Sequence, residues 1–542
     1  MLPHTIITKL LIANRGEIAR RIQRACVAMG IDTVLAASQE DMSSLAAREA
    51  QEVHCIGGQT ARESYLDRGK IIEAAKSAGC QAIHPGYGFL SEDAEFAQAV
   101  LDAGLIFVGP SAASIRALGV KTSARQTVSA AGVPITEGSE GATTDEEIIS
   151  AAVTIGFPVI IKAAAGGGGR GMRIVRAEHE MKESLERARA EAVKNFGSPV
   201  VYCEKFVEEP RHVEVQLFGD QHGNVVHFGT RDCSAQRRHQ KLVEEAPAPF
   251  LDHDIREAIH NAAVTAAKSV GYYNAGTAEF LVKGREFYFL EINTRIQVEH
   301  PVTEAITGID LVQLQLRVAM GEKLPCAQEE VRFRGHAIEL RINAEDVSEN
   351  FRPAVGQITS WKKPLNTDIR EESGYAEGDA VSPFYDSLIS KVIAHGETRA
   401  DALYKAFQYL KHYKIGGLPT SLPFHAWILS LPRFQRDGID IGFVERTFSA
   451  EAAKEAQKLL WIDPAHCSSE RTVNTQAETI YLHDGAGTPC PVHILHEHGG
   501  TFLGIPLSPT GAPFAKEFWR RSNIREEVVR SIQAQLQAGS QK

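Results

Sequence analysis

The stretch GTAEFLVKGREFYFLEINTRIQVEHP, residues 276–301, decides how the chain is read. Apolar runs containing Phe280, Phe287 and Phe289 flank Gly284, so the segment predicts an antiparallel hairpin turning at that glycine. Its second arm then turns polar without losing its period: Glu291, Asn293, Arg295, Gln297 and Glu299 fall on every second residue. Side chains alternate along a strand, so Glu291 and Asn293 share a face. Glu279 joins them, opposite Glu291, only if the loop holds an odd number of residues or the strand carries a bulge, because a two-residue turn would send Glu291 to the other face. An odd loop is expected. Two carboxylates and an amide oxygen form a hard-oxygen set suited to Mg²⁺ (or Mn²⁺) beside nucleotide phosphates. Beyond them, Arg295 offers a two-pronged donor to a carboxylate-like anion and Glu299 a general base. The plainer alternative, a charged solvent face, fits poorly with three phenylalanines on so short a hairpin.

Two other clusters lie upstream. In VIIKAAAGGGGRGMRIV, residues 159–175, a strand ending at Lys162 meets four consecutive glycines and then a second strand. Backbone N–H groups without side chains approach phosphate oxygens closely, and ordering four glycines is entropically costly, so a mobile lid is favoured over a plain flexible turn. No G-K-[ST] opens a helix, so this is not a Walker loop. Lys121 and Lys162 can each place a point charge on a polyphosphate. The run RDCSAQRRHQKLVEEAPAP, residues 231–249, gathers Arg231, Arg237, Arg238, His239 and Lys241. Read alone, it is as readily a solvated loop as a site.

Around these clusters, 542 residues exceed one compact core and predict several domains. KLLIANRGEIARRIQRACVAMG, residues 9–30, reads as a strand, a turn at Asn14-Arg15-Gly16 and a helix burying Ile18, Ile22, Ala25 and Met29. Further short strands alternating with helical stretches predict a parallel, Rossmann-like sheet over residues 1–120. The first turn has a single glycine and lacks the dinucleotide fingerprint. A second unit, rich in glycine early and in strands late, follows over 121–330, then an α+β unit over 331–447 with a helix from Arg399 to His412. After Phe448 the pattern weakens into a polar linker, β-like runs and a final helix. That helix carries a narrow stripe, Ile524, Val528, Ile532 and Leu536, with Asn523 and Glu526 as caps. A net charge of -10 with pI near 6.1 argues against a general nucleic-acid binder. No apolar stretch is long enough for a bilayer, so no membrane role is expected. Eight scattered cysteines without CxxC pairs, and no targeting signal at the start, lead us to expect a cytoplasmic protein.

With these pieces on the page, the sequence resembles the biotin carboxylase family of the ATP-grasp superfamily. The resemblance runs over about residues 8–447, through IANRGEIA, HPGYGFLSE, GGGGRGM, RDCSAQRRHQK, EEAPAP, EINTRIQVEHPVTE and RINAED in order. It implies a multidomain α/β and α+β fold: a Rossmann-like N-terminal domain, an ATP-grasp domain with a glycine-rich lid over about 134–206, a biotin carboxylase C-terminal domain, and an extension over 448–542. It implies ATP-dependent carboxylation of biotin by bicarbonate through carboxyphosphate. Carried over by motif, ATP would meet Lys121, Lys162, Gly168, Gly169, Met172, Glu204, Lys205, Phe206, Val207, His212, Gln236, His239, Glu279 and Leu281. Glu279, Glu291 and Asn293 would hold the metal. Bicarbonate would lie among Lys241, Arg295, Gln297 and Val298. Glu299 would take its proton, and Arg341 and Tyr87 would face biotin.

Three departures accompany the resemblance. Val120 stands where many relatives have Asp, Ala164-Ala165 shorten the glycine run, and Ser421 replaces a usual Asn, away from the chemistry. No Met-Lys-Met site is present, so biotin is expected on a separate carrier protein, with a carboxyltransferase subunit as second partner and a homodimeric core. The GLPTS and PRFQRDGIDIGFVE segments resemble acyl-CoA carboxylase alpha chains. The final helix is expected to dock a partner. The alternatives are another ATP-grasp carboxylate ligase and a non-catalytic scaffold subunit.

Overall fold

The computed structural model describes residues 5–139, 142, 144–164, 172–364, 368–460, 477–483, 489–497, 501–506, 520–522 and 525–539. Near the N-terminus, β1 (Lys9–Ile12) leads through the Asn14–Gly16 turn into α1 (Gly16–Ala28). With β2 (Asp32–Ala37), β3 (Glu52–Cys55), β4 (Ala82–His84) and β5 (Ile106–Phe107), β1 forms a parallel sheet of order β3-β2-β1-β4-β5. The chain winds outward in both directions from β1, so the carboxyl ends of β1 and β4 border the crevice where such sheets bind ligands. Ile18, Ile22 and Ala25 are buried on α1 as the spacing predicts, whereas Met29 lies past the helix end and is only half-buried.

A small antiparallel sheet, β6 (Val159–Ala163), β7 (Arg173–Val175) and β8 (Val201–Lys205), packs with the helices Asp145–Ile155 and Met181–Phe196 around its own core of Ile148, Ile161, Leu185 and Val201. The intervening glycines, including Gly168 and Gly169, lie outside the described residues.

The largest sheet has eight antiparallel strands. It joins β13 (Glu286–Asn293), β12 (Asn274–Lys283), β9 (Arg211–Gly219), β10 (Val225–Arg237), β11 (Gln240–Ala246) and β14 (His336–Asn343), in that order, to Leu388–Gly396 and Arg370–Ser373. It therefore runs without interruption from the β12–β13 hairpin into the C-terminal region. The seam between β11 and β14 is fastened by charge. Arg399 grips Glu245 with two bonds of 2.6 and 2.8 Å, and His336 adds a third of 2.9 Å.

Two expectations for the tail change. The polar linker does not start at Phe448, whose ring packs on Phe351, Phe424 and Trp427. The helix Ala450–Gln457 follows, and Ala453, Ala456 and Leu460 join the same core. Four strands farther on, Ala477–His483, Pro489–Glu497, Thr501–Pro506 and Arg520–Ser522, form an antiparallel sheet. The final helix, Arg525–Gly539, lays Val528 and Ile532 onto Cys490 and Val492 of that sheet. These two positions of the stripe expected to dock a partner are thus covered by their own chain, and the Leu536 side chain lies outside the described residues. Asn523 and Ile524 lie outside the described residues. Among the described residues, no helix is long and apolar enough to cross a membrane.

Burial raises the Glu245 carboxyl, but Arg399 and His336 overcome this and hold it at about 2, below its ordinary 4.5. A depressed folded-state value stabilises above the unfolded value and is lost as pH falls toward 2, so Glu245 contributes about 3 kcal/mol at neutral pH. Glu245→Gln is expected to lower the unfolding free energy by that amount at pH 7, with the gap closing below about pH 4.5 in denaturant titrations. Val120 is the N-cap of the helix Lys121–Ala130 and supplies no side-chain cap. Val120→Asp is expected to add about 1 kcal/mol in the same assay.

Candidate active site

The hairpin turns on two residues, Gly284 and Arg285, with Lys283 paired to Glu286. The odd loop expected from parity is therefore wrong. Parity is restored by a bulge at Leu290: Phe280 faces Phe289, but the next pair is Glu279 with Glu291. The two carboxylates thus share a face with Asn293, whose Nδ2 donates to Glu279 Oε1 at 2.8 Å. The strand ends at Asn293, so the alternation through Arg295, Gln297 and Glu299 continues as irregular chain.

All the residues carried over by motif, apart from Gly168 and Gly169, line one cleft of about 530 Å³. At its floor the Lys241 ammonium contacts four oxygens: Glu214 Oε2 at 2.5 Å, Glu299 Oε1 at 2.6 Å, Gln297 Oε1 at 2.9 Å and Glu279 Oε1 at 3.0 Å. Burial alone would lower the ammonium's pKa, yet the surrounding carboxylates raise it well above its ordinary value. Glu299 shows the converse. Burial would raise its carboxyl, but Lys241 and Arg341 hold it well below the usual range. Arg341 bridges two acids, through Nη2 to Glu299 at 2.8 Å and through Nε to Glu244 at 2.5 Å. Burial holds the Glu244 carboxyl up at about 7.

The nucleotide end is paired in the same way. Lys162 lies 3.0 Å from Glu204, which also receives Arg125 at 3.1 Å and Thr136 at 2.7 Å. Burial opposes ionisation of Glu204, but Lys162 and Arg125 bring it to about 2. Lys121 is bonded to Glu291, and burial together with Lys162 lowers its ammonium to about 8. His212 Nδ1 lies 3.3 Å from the Gln236 amide nitrogen, and its Nε2 lies 3.2 Å from Glu279 Oε2. The Lys205 ammonium donates to the Gly156 carbonyl at 2.8 Å, so this residue can face a nucleotide only through its backbone. His239 is exposed at the rim with φ of 64°.

The sequence reading missed several of these partners. Glu92 accepts from Arg295 Nε at 2.9 Å and so occupies the guanidinium intended for an anion. Glu214 anchors both Lys241 and the fully buried Arg231. The alternation of His212, Glu214 and Gln216 along one strand was a signal that could have found Glu214. Ser421 is not remote: its hydroxyl donates to the Arg341 carbonyl at 3.0 Å, beside His425 Nε2 at 2.7 Å. Glu279, Glu291 and the Asn293 amide oxygen fit a divalent ion by donor chemistry, since all are hard oxygens. The negative charge of the two carboxylates is offset by Lys121 on Glu291 and Lys241 on Glu279.

Comparisons with known proteins bear on this cleft. The biotin carboxylase N-terminal domain model matches residues 6–115, the ATP-binding domain model of the carbamoyl-phosphate synthase L chain residues 120–327, and the biotin carboxylase C-terminal domain model residues 339–446. The chain belongs to the biotin carboxylase family. Biotin carboxylase 1 of Bacillus subtilis is 48% identical over 443 residues, covering 81% of this chain and 98% of that one. The mouse mitochondrial methylcrotonoyl-CoA carboxylase subunit alpha is also 48% identical over 82% of this chain, which spans 62% of that longer subunit. The biotin carboxylase domain dimer of Hydrogenobacter thermophilus 2-oxoglutarate carboxylase, solved with MgADP, ADP and bicarbonate, superimposes with TM-score 0.79 at 43% identity, covering 82% of this chain and 98% of that one.

Because Lys121 neutralises Glu291, Lys121→Met is expected to tighten nucleotide-free Mn²⁺ binding several-fold while raising the KM for MgATP at least tenfold. Titration calorimetry and steady-state kinetics would read the two effects.

Proposed function

We propose that this chain carboxylates biotin with ATP and bicarbonate, the biotin arriving as substrate on a separate carrier protein. The observation that carries the reading is the Lys241 ammonium held among Glu214, Glu279, Gln297 and Glu299 beside Arg341, in a cleft that also holds the hard-oxygen trio. Glu279, Glu291 and Asn293 would hold Mg²⁺, which when bound offsets phosphate charge.

The residues act as follows. Bicarbonate enters beside Lys241, Arg295, Gln297 and Val298, drawing Arg295 away from Glu92. An anion next to Glu299 disfavours a second negative charge and raises the carboxylate's pKa, which makes it a better base. Glu299 takes the bicarbonate proton and the freed oxygen attacks the γ-phosphorus. ADP departs, leaving carboxyphosphate, with Lys121, Lys162 and His212 meeting the phosphate charge. Breaking the carbon–oxygen bond of carboxyphosphate releases CO₂ and phosphate. The phosphate removes the biotin ureido proton, and the nitrogen then attacks CO₂.

Arg341 links the two halves. Once Glu299 is protonated, its hold on Arg341 Nη2 weakens, while Nε stays bonded to Glu244. One edge of the guanidinium thus becomes available for the negative charge developing on the ureido oxygen, near Tyr87. Lids that exclude water protect an intermediate as labile as carboxyphosphate, and Met172 and the glycine run are placed by sequence to do this.

The final acceptor is read as an acyl-CoA, from the resemblance of the 417–446 segment and the likeness to methylcrotonoyl-CoA carboxylase alpha subunits. A carboxyltransferase subunit is then the second partner, and the core is read as a homodimer.

Bicarbonate-dependent ATP hydrolysis, stimulated by free biotin, is the expected activity. Glu299→Gln is expected to lower it by 10²- to 10⁴-fold, the usual worth of a general base. Arg341→Met is expected to remove biotin stimulation while leaving most of the bicarbonate-dependent hydrolysis. Hydrolysis indifferent to bicarbonate but responsive to another carboxylic acid would overturn the reading.

A further inference from the structure

The NRGE turn after β1 takes no part in the chemistry above, yet two of its side chains hold Tyr87, which lines the cleft. Asn14 Nδ2 donates to the carbonyls of Pro85 and Tyr87, both at 2.7 Å, fixing the loop after β4. Three residues on, Glu17 Oε1 accepts the Tyr87 hydroxyl at 2.5 Å and lies 2.9 Å from the Lys391 ammonium. Lys391, on the strand Leu388–Gly396, is 0% exposed and donates to the Val298 carbonyl at 2.7 Å. An unbroken line of polar contacts therefore runs from Tyr87 through Glu17 and Lys391 to Val298. It joins the N-terminal sheet, the C-terminal strands and the segment after the metal hairpin.

A fully buried lysine–carboxylate pair is poor value for stability alone, because desolvation consumes most of the attraction. Methionine at 391 would fill the same space without that cost. The pair also lacks ordinary completion: Glu17 Oε2 and both Glu339 carboxylate oxygens nearby have no hydrogen-bond partner. Burial pushes the Glu339 carboxyl well above the usual carboxylate range, and the acid in direct contact with the Lys391 ammonium is Glu17. Gly374 closes over the turn, where an added Cβ would come within 2.9 Å of the Glu17 amide nitrogen. Both ends of the tie are cleft-lining groups, one on the biotin side and one on the bicarbonate side.

We propose that Glu17 and Lys391 are positioning residues that set the Tyr87 hydroxyl and the Val298 segment at a fixed separation, and so hold the biotin and bicarbonate subsites in register. The inference rests on the functional reading above for its choice of substrates. ATP binds at the other end of the cleft, so its affinity does not depend on the tie.

The test uses the full chain with Glu17→Gln, and the double variant Glu17→Gln/Lys391→Met, which leaves no unpaired buried charge and so keeps the fold intact where a single Lys391 change would not. The KM values for bicarbonate and free biotin are expected to rise at least fivefold, with that for MgATP changing less than twofold. Hydrogen exchange is expected to accelerate in peptides covering 84–88 and 296–300. All three KM values moving together, or none moving, would overturn the proposal, as would unchanged exchange in those peptides. A wild-type chain without bicarbonate-dependent ATPase activity would instead sink the functional reading, and the exchange data would still judge the tie.

Discussion

One ammonium group, Lys241 Nζ, holds the floor of the cleft together. Glu214, Glu279 and Glu299 are buried carboxylates, and each would cost several kcal/mol if left unpaired away from water. Lys241 touches all three, Arg231 takes the second oxygen of Glu214, and Arg341 takes that of Glu299. A lysine has three protons to give, and here four oxygens crowd around it. The arrangement is therefore ready to exchange partners. If Lys241 shifts, Glu214 keeps Arg231 and Glu299 keeps Arg341. The same pairing recurs at Lys121 on Glu291 and Arg295 on Glu92, where each cation rests on a protein acid.

Such a cluster requires side chains from several strands to meet at one depth. The eight-stranded antiparallel sheet supplies this: β9 carries His212 and Glu214, β10 Arg231 and Gln236, β11 Lys241 and Glu244, β12 Glu279, and β14 Arg341. Because β11 pairs directly with β14, Arg341 is fixed in the same sheet as Glu279. The bulge at Leu290 matters for the same reason, since one residue of register decides whether Glu291 faces Glu279 or the opposite side. Ser421 and His425 add a second layer beneath β14 by holding the Arg341 carbonyl.

Much of this was legible in the residues. The parallel N-terminal sheet followed from short apolar strands spaced by helical stretches, and the helix Arg399–His412 from its own periodicity. The facing of Glu291 and Asn293 followed from strand alternation. The requirement of an odd loop or a bulge was correct as geometry, but the wrong option was chosen, because nothing in LEINT marks Leu290 as the extra residue. Pairings between distant segments were not legible. Glu92 with Arg295, Glu17 with Lys391, and Ser421 under Arg341 join residues 80 to 374 positions apart, and no local pattern reports such contacts. The final helix was misjudged for a related reason. Its stripe is equally apt for a partner's groove or for its own sheet, and only the fold shows Val528 and Ile532 resting on Cys490 and Val492.

The central claim is that bicarbonate itself is phosphorylated on the Lys241 floor. The direct measurement is to supply ¹⁸O-labelled bicarbonate with ATP and determine the isotopic content of the phosphate released. Attack by a bicarbonate oxygen on the γ-phosphorus, followed by cleavage of the carbon–oxygen bond, predicts one labelled oxygen in each phosphate formed. Phosphate whose new oxygen comes only from solvent water would contradict the account.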